Sequence, residues 1–486
     1  MVERAVIEGA GNGNAEQART RAGGASALSI APHALLAVVL AALLSGCASA
    51  LPRADLDVPL PPTWSLSTPA STAPAEAPTD GWWRVFHDPA LNALIDAATQ
   101  SNLTIGAASE HLRAARALLH TGAALYRPGV SFGAGPAPTP DAKSSYFQAG
   151  FDATWELPLF DRAANATRAL GADAAAAEAD LMAARTTVAA EVASAYFAAQ
   201  AAIRRQSVLR ELDDAEHLRL ARLRTRVRLG LDASDVQHEA EADLLAVQAN
   251  ELEPDSTRSQ SLRRIAALLG RASVDPAWSE APSEVPEPFA QVQSTPADLL
   301  RQRPDVRRAE AAVLRAAAEL GTAQAELYPH VSLVGAITAA TQVSGLGLAS
   351  PNGVVSAGPA ISLPLFDWGM RRAARDARAA ELSSAAMVYR QTVFDAFADV
   401  EITLANLKRT TSQIELLRNA ATSRSERARQ SDVLRRAGLS ESTEQSRSRR
   451  TALEARLDLV NAEYAGQMAI VQLHKALGGA IVPGES

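Results

Sequence analysis

The sequence predicts a mainly α-helical protein with a small β part, built from two duplicated halves that each pair a β-hairpin with one very long helix. Three observations predict it. First, the chain repeats itself: Leu157-Pro158-Leu159-Phe160-Asp161 returns 206 residues later as Leu363-Pro364-Leu365-Phe366-Asp367. Pro128-Gly129-Val130-Ser131 returns as Pro329-His330-Val331-Ser332 at a spacing of 201, and Gly230-Leu231 as Gly438-Leu439 at 208. Such a unit far exceeds the roughly 20–50 residues of a solenoid repeat, so two large halves are implied. Second, residues 163–229 and 369–437 contain no proline and are rich in Ala, the strongest helix former. Third, Phe147, Ala149, Phe151, Ala153, Trp155 and Leu157 alternate with Gln148, Gly150, Asp152, Thr154 and Glu156. That is the period of a strand with one apolar and one wet face.

The elements follow in order. Residues 34–44 are an apolar run, ending in Leu44-Ser45-Gly46-Cys47. The run is too short for a bilayer span, which needs about 20 residues, and has the size of a signal-peptide core. Leu44, Ser45 and Gly46 before Cys47 resemble the bacterial lipobox, so residues 1–46 read as a signal peptide and Cys47 as the lipidated (diacylglycerol and palmitate) first residue of the mature chain. Ala48 follows, and the resemblance points to the outer membrane. Residues 47–80, rich in Pro, Ser, Thr and Ala, read as an extended lipidated tether, with order beginning at Gly81-Trp82-Trp83.

The first half is expected over 81–290, with its hairpin at about 128–157. Asp88-Pro89 starts a short helix to about Gln100, Asp capping and Pro in the first turn. A second helix is expected over 102–127, then the hairpin, the long helix, a Gly-Leu stop and a returning helix over 233–271, kinked at Pro254. The second half, 291–479, repeats this. Arg303-Pro304-Asp305 reads as a helix start, the helix runs to about 327, the hairpin lies at about 329–365, and the return covers 441–477. Residues 480–486 form a tail. In each half the helix before the hairpin and the returning helix together nearly match the long helix, so a long helix is expected beside a composite one.

Four strands of about 10 residues have the length that crosses a bilayer at a tilt. Phe147, Phe151 and Trp155 are expected to face lipid, and Asp152 and Glu156 the lumen. Sheet edges cannot stay open in a membrane, and small closed barrels have about 8 strands, so copies of the chain must associate. The helices would continue that wall as a tube of about 100 Å.

Other chemistries find little support. A net charge of −7 with mixed signs gives no basic stripe for nucleic acid. Gly129-Val130-Ser131-Phe132-Gly133 matches a nucleophile pattern in letters, but that motif needs a strand-to-helix turn and this Ser lies inside an expected strand. The 8 His lack metal-ligand spacing and no phosphate loop is present. No catalytic residue, cofactor or metal is expected, and the chain reads as a non-enzyme. Asp232 and Asp235 at one turn, Glu441 and Glu444 at the other, either cap helix dipoles or form a cation-attracting ring at a tunnel mouth. Arg222, Arg224, Arg226 and Arg228 read as a solvated face or a docking surface.

At this point the residues carry a resemblance. Gly81-Trp82-Trp83-Arg84-Val85-Phe86, Asp88-Pro89-Ala90-Leu91-Asn92, Leu300-Arg301-Gln302-Arg303-Pro304-Asp305-Val306 with Ala309-Glu310, both Leu-Pro-Leu-Phe-Asp motifs and Ala476-Leu477-Gly478-Gly479 resemble TolC-type outer-membrane efflux proteins, NodT lipoprotein subgroup. The resemblance implies a homotrimer with a 12-stranded transmembrane barrel and a helical tunnel across the periplasm. It also implies docking to a periplasmic adaptor and an inner-membrane pump, in a passive exit duct for small molecules. Two departures stand out. The first Leu-Pro-Leu-Phe-Asp161-Arg162 replaces a Leu-Trp-Gly-Arg form common in relatives. Arg447 stands nine residues after Gly438, where many relatives carry an Asp of the constricting ring. A type I protein-secretion channel and a non-conducting periplasmic lipoprotein are the alternatives; the two-faced strands favour a pore over a scaffold.

Overall fold

The computed structural model describes residues 56–65, 81–137, 145–279, 300–344, 347–348 and 352–479. The lipobox, Cys47 and the tail lie outside them. Within the unit spanning Leu51–Ser486, the duplication is visible as two sets of matched elements. The first half holds α1 (Pro89–Ser101), α2 (Leu103–Leu119), β1 (Gly129–Ala137), β2 (Ser145–Glu156), α3 (Arg162–Arg228) and α4 (Ser234–Leu268). The second holds α5 (Pro304–Ala325), β3 (His330–Ser344), the short β4 (Gly347–Leu348), β5 (Asn352–Ser362), α6 (Met370–Arg436) and α7 (Ser442–Ala476). Both long helices have 67 residues and both returning helices 35. Pro254 lies buried within α4, which continues through it.

Local chemistry sets the boundaries. Asp88 caps α1, its carboxylate accepting from Ala90 N and Leu91 N, and its other oxygen accepts from Tyr196 Oη at 2.7 Å. Gly230 and Gly438 take positive φ after the long helices, the left-handed stop that glycine permits. The Leu-Pro-Leu-Phe-Asp loops turn the chain from strand into long helix. In the first copy Phe160 and Asp161 carry the left-handed corner; in the second it falls on Trp368 and Gly369. The second corner comes two residues later, which is where the repeat spacing drifts from 206 to 208.

Two expectations need correcting. The helix expected over 102–127 ends at Leu119, and a 3-10 turn at Ala124–Tyr126 carries the chain to β1. The turn that follows packs closely on α3: a Cβ on Gly122 would stand 3.0 Å from Thr167 Cα. Nor does order begin at Gly81. Within the expected tether, Trp64 is 3% exposed and stacks on Phe397 with ring centroids 5.3 Å apart, and Ser65 N donates to Glu401 Oε1. One large aromatic gives the Pro-rich segment enough apolar area to dock.

The principal core lies where the halves meet. Trp82 stacks on His474 at 5.0 Å and Phe86 meets Phe197 at 4.6 Å, so the Gly-Trp-Trp-Arg-Val-Phe motif is a 3-10 plug in that core. Alanines 189, 190, 193 and 199 of α3 are buried there, small enough to let helices approach closely. Small clusters such as Val208, Leu212, Val247 and Leu453 continue the packing along the helices.

Candidate functional site

The sheet orders its long strands β1-β2-β3-β5, all antiparallel. Register places Phe132, Phe151, Ile337 and Val355 in one row across it. Paired residues share a face, and all four are exposed, Phe151 at 55%. The adjacent row, Ser131, Asp152, Ala336 and Ser356, lies on the opposite face and is polar or small. Alternation first visible in β2 thus extends over four strands. Phe147 shares the apolar face and is exposed. Trp155 does so at the foot of the strand, half-buried, its Nε1 donating to Tyr126 O at 2.9 Å. Ser131 lies within β1, opposite Asp152.

Glu156 belongs to a junction that joins sheet and helices. Arg162, 2% exposed at the start of α3, donates to Glu156 Oε1 at 2.8 Å, Ala325 O at 2.7 Å and His330 Nε2 at 2.9 Å. His330 Nδ1 lies 3.0 Å from Glu156 Oε1. One guanidinium therefore ties the end of β2, the end of α5 and the start of β3. Sequence reasoning missed this hub; the only signal was the Arg following the first Leu-Pro-Leu-Phe-Asp motif, where the second copy, 208 residues on, has Met370.

At the far end of the long helices the two turns are tied together. Arg222 Nη1 donates to Gln445 Oε1 at 3.1 Å, and Gln445 Nε2 donates to Asp432 Oδ1 at 2.6 Å. Asp232 accepts two hydrogen bonds from Arg226, which hold its carboxyl below the usual range. Arg427 donates to Glu444 at 2.8 Å with the same effect. Arg224 pairs with Glu241, and Arg228 donates to Thr225. Asp235 accepts from Val236 N. Glu441 occupies the N-cap of α7 without a side-chain cap bond, and Arg447 is exposed. Between tips and core, buried Glu216 meets Arg219 and Arg450, and both arginines also pair with Asp243.

A family model described as "outer membrane efflux protein" matches residues 94–271 and 295–479, one match in each half. The chain belongs to the outer membrane efflux protein family. It is 26% identical to the outer membrane protein OprJ of Pseudomonas aeruginosa, over 93% of this chain and 96% of that one. It is 28% identical to nodulation protein T of Rhizobium leguminosarum bv. viciae, over 77% and 78%. The fold matches the open state of the Neisseria gonorrhoeae MtrE outer membrane channel with a TM-score of 0.75 at 24% identity, covering 88% of this chain and 96% of that one. As a member of the outer membrane efflux protein family, this chain is an outer-membrane efflux channel. The family is one of channels, not of enzymes.

In this outer membrane efflux protein the composite helices are spliced by one residue each. Asn102 caps α2, accepting from Thr104 N and Ile105 N, while its Nδ2 donates to Leu268 O at the end of α4, at 2.7 Å. Its counterpart 201 residues later is Arg303. That side chain, 9% exposed, donates to Ala476 O at the end of α7 at 2.6 Å, to Ala396 O, and to Asp305 and Asp399. The Arg-Pro-Asp segment starts a helix, with Pro304 in its first turn, and Arg303 also joins that helix to the end of another.

Proposed function

We propose that three copies of the chain close a 12-stranded barrel and a helical tunnel, anchored by lipid at Cys47. The assembly is the passive exit duct for small molecules in a tripartite pump, docking a periplasmic adaptor and an inner-membrane transporter. One observation carries this reading: each protomer leaves complementary edges open. In the described sheet β1 and β5 each pair on one side only, and a lipid-embedded edge must be closed. The helices show the same gap. α3 packs against α2 and α4 of its own half and α5 and α7 of the other, whereas α6 packs substantially only against α5 and α7. By the duplication, the missing neighbours of α6 are the α2 and α4 of another copy. Burial agrees: 22 residues of α3 are buried against 10 of α6. Large apolar side chains stand exposed on both open faces, among them Met387, Ile402 and Leu416 on α6, and Leu103, Leu245 and Leu252 on α2 and α4. Head-to-tail contacts of this kind close into a ring.

Two expected results test the reading. Phe151→Arg places a charge on the lipid face and should cost assembly about 2–4 kcal/mol if it sits near the midplane, seen as loss of heat-resistant oligomer from outer-membrane fractions. Asp152→Arg, one residue away on the opposite face, should assemble; equal behaviour of the two variants would contradict the assignment of faces. Cys47→Ser should abolish incorporation of labelled palmitate, and retained labelling would remove the anchor from the account. Barrel insertion need not depend on the lipid, since one acyl chain binds membranes only weakly.

A further inference from the structure

The two helical tips, related by the 208-residue spacing, differ sharply in charge. Residues 219–243 carry five Arg and five Asp or Glu; residues 427–451 carry seven Arg and three Asp or Glu. The protein as a whole has a net charge of −7, so this local excess of cations runs against its composition. Four of the eight carboxylates at the tips are paired: Asp232 by Arg226, Glu241 by Arg224, Asp243 by Arg219 and Arg450, and Glu444 by Arg427. On the first tip Arg222 and Arg228 bond to neutral side chains, and the second tip adds four more arginines. Arg435, Arg436, Arg447 and Arg449 are exposed, and none forms a salt bridge among the described residues; Arg447 acts on Glu444 through its field alone. Arg435 and Arg449 share one seam, whereas Arg447, two residues from Arg449, stands on another face of α7. Arg449 stands one turn beyond Gln445 on α7, and Arg435 one turn beyond Asp432 on α6, the two helices that the Arg222–Gln445–Asp432 bonds join to α3. Arg222 feels both: burial first, and then the fields of Arg435 and Arg449, lower its pKa from the usual guanidinium value.

We infer that the mouth of the duct is an anion-selective filter, in which Arg435, Arg447 and Arg449 attract solutes bearing carboxylate, sulfonate or phosphate groups. The inference rests on the reading of the chain as an oligomeric duct, which brings every copy's surplus arginines to one opening. Rings of Arg or Lys select anions as rings of Asp or Glu select cations. The field reaches about 8 Å at physiological ionic strength, enough to span a narrowed mouth and weaker in high salt. The carboxylate ring considered from sequence is thereby offset, because two of its members, Asp232 and Glu444, are already held by arginines.

The test uses the full-length lipoprotein in planar bilayers under a potassium chloride gradient, with efflux of an anionic and a cationic dye from proteoliposomes as a second readout. Wild type should favour chloride over potassium and release the anionic dye faster. Arg435→Gln, Arg447→Gln and Arg449→Gln combined should lower the chloride preference by at least about twofold without loss of conductance. The three side chains are exposed, so the variant should fold. Conducting wild-type channels that prefer potassium, or a triple variant with unaltered selectivity, would overturn the filter while leaving the duct intact. Absence of any conductance from correctly inserted oligomer would overturn the duct reading itself, and the filter with it.

Discussion

Arg303→Ala should destabilise the assembled protein by about 1–3 kcal/mol, because it removes the donor from a buried splice. The guanidinium donates to Ala476 O and Ala396 O and pairs with Asp305 and Asp399. A buried carbonyl left without a donor costs about 1–3 kcal/mol, and Ala476 O at the end of α7 would lose its Arg303 donor, whereas Ala396 O lies inside α6 and keeps its helix bond. Arg303→Lys retains the charge but cannot reach several acceptors as a fork, so it should fall between wild type and Ala. The pH dependence carries a second signature. Burial alone would raise the Asp305 carboxyl, but hydrogen bonds from Arg303 outweigh it and hold the carboxyl below its usual range. A depressed carboxyl contributes stability above its unfolded value and loses it as pH falls through the folded one. Wild type should therefore lose this contribution only in acid, and in Arg303→Ala that acid-dependent component should shrink. Thermal unfolding of the detergent-solubilised protein across pH measures both; an Ala variant indistinguishable from wild type would remove Arg303 as the splice.

Arg162→Ala should have a comparable effect at the other end of the molecule. Its side chain is 3% exposed and holds Glu156, His330 and Ala325 O together. Removing one partner of a buried ion pair costs about 3–5 kcal/mol, the upper part applying when the remaining charge is fully buried. Glu156 is 39% exposed, so the lower part of that range is expected. Because the hub links β2, β3, α3 and α5, the loss should appear as barrel dissociation at lower temperature, with little change in helix content. Arg162→Met asks the sharper question, since Met370 occupies the matching position of the second copy. A Met variant as stable as wild type would show that the junction needs volume there, not charge.

The parts of this fold that could be read from the sequence are those written as period and punctuation. The long helices emerged within one residue of their first-copy boundaries, because an Ala-rich, Pro-free run bounded by Leu-Pro-Leu-Phe-Asp and Gly-Leu leaves few alternatives. The strands emerged because Phe147 to Leu157 alternates. What stayed hidden depends on residues far apart in the chain. Gly122 lies in the turn after α2 that packs on Thr167 of α3, and Trp64 docks a Pro-rich segment because Phe397 offers a surface. Arg303 looked like an ordinary helix start and Arg162 like a mere departure from a motif, since acceptors such as Ala325 O, His330 and Ala476 O lie 163 to 173 residues away. At the tips the residue types pointed to charge, but only geometry shows that Asp232 and Glu444 are paired with Arg226 and Arg427 while Arg435 and Arg449 both act on Arg222.

The central claim is that open edges on one protomer are closed by the complementary edges of its copies, and the mass of the assembled particle tests it most directly. Native mass spectrometry of the protein, released from outer-membrane detergent micelles, should give an assembly of three chains as the dominant species. Substituting charged residues for Met387 and Ile402 on α6 should shift that population toward single chains. A dominant single chain in the wild type would contradict the account, because β1 and β5 would then have to stand unpaired in the membrane.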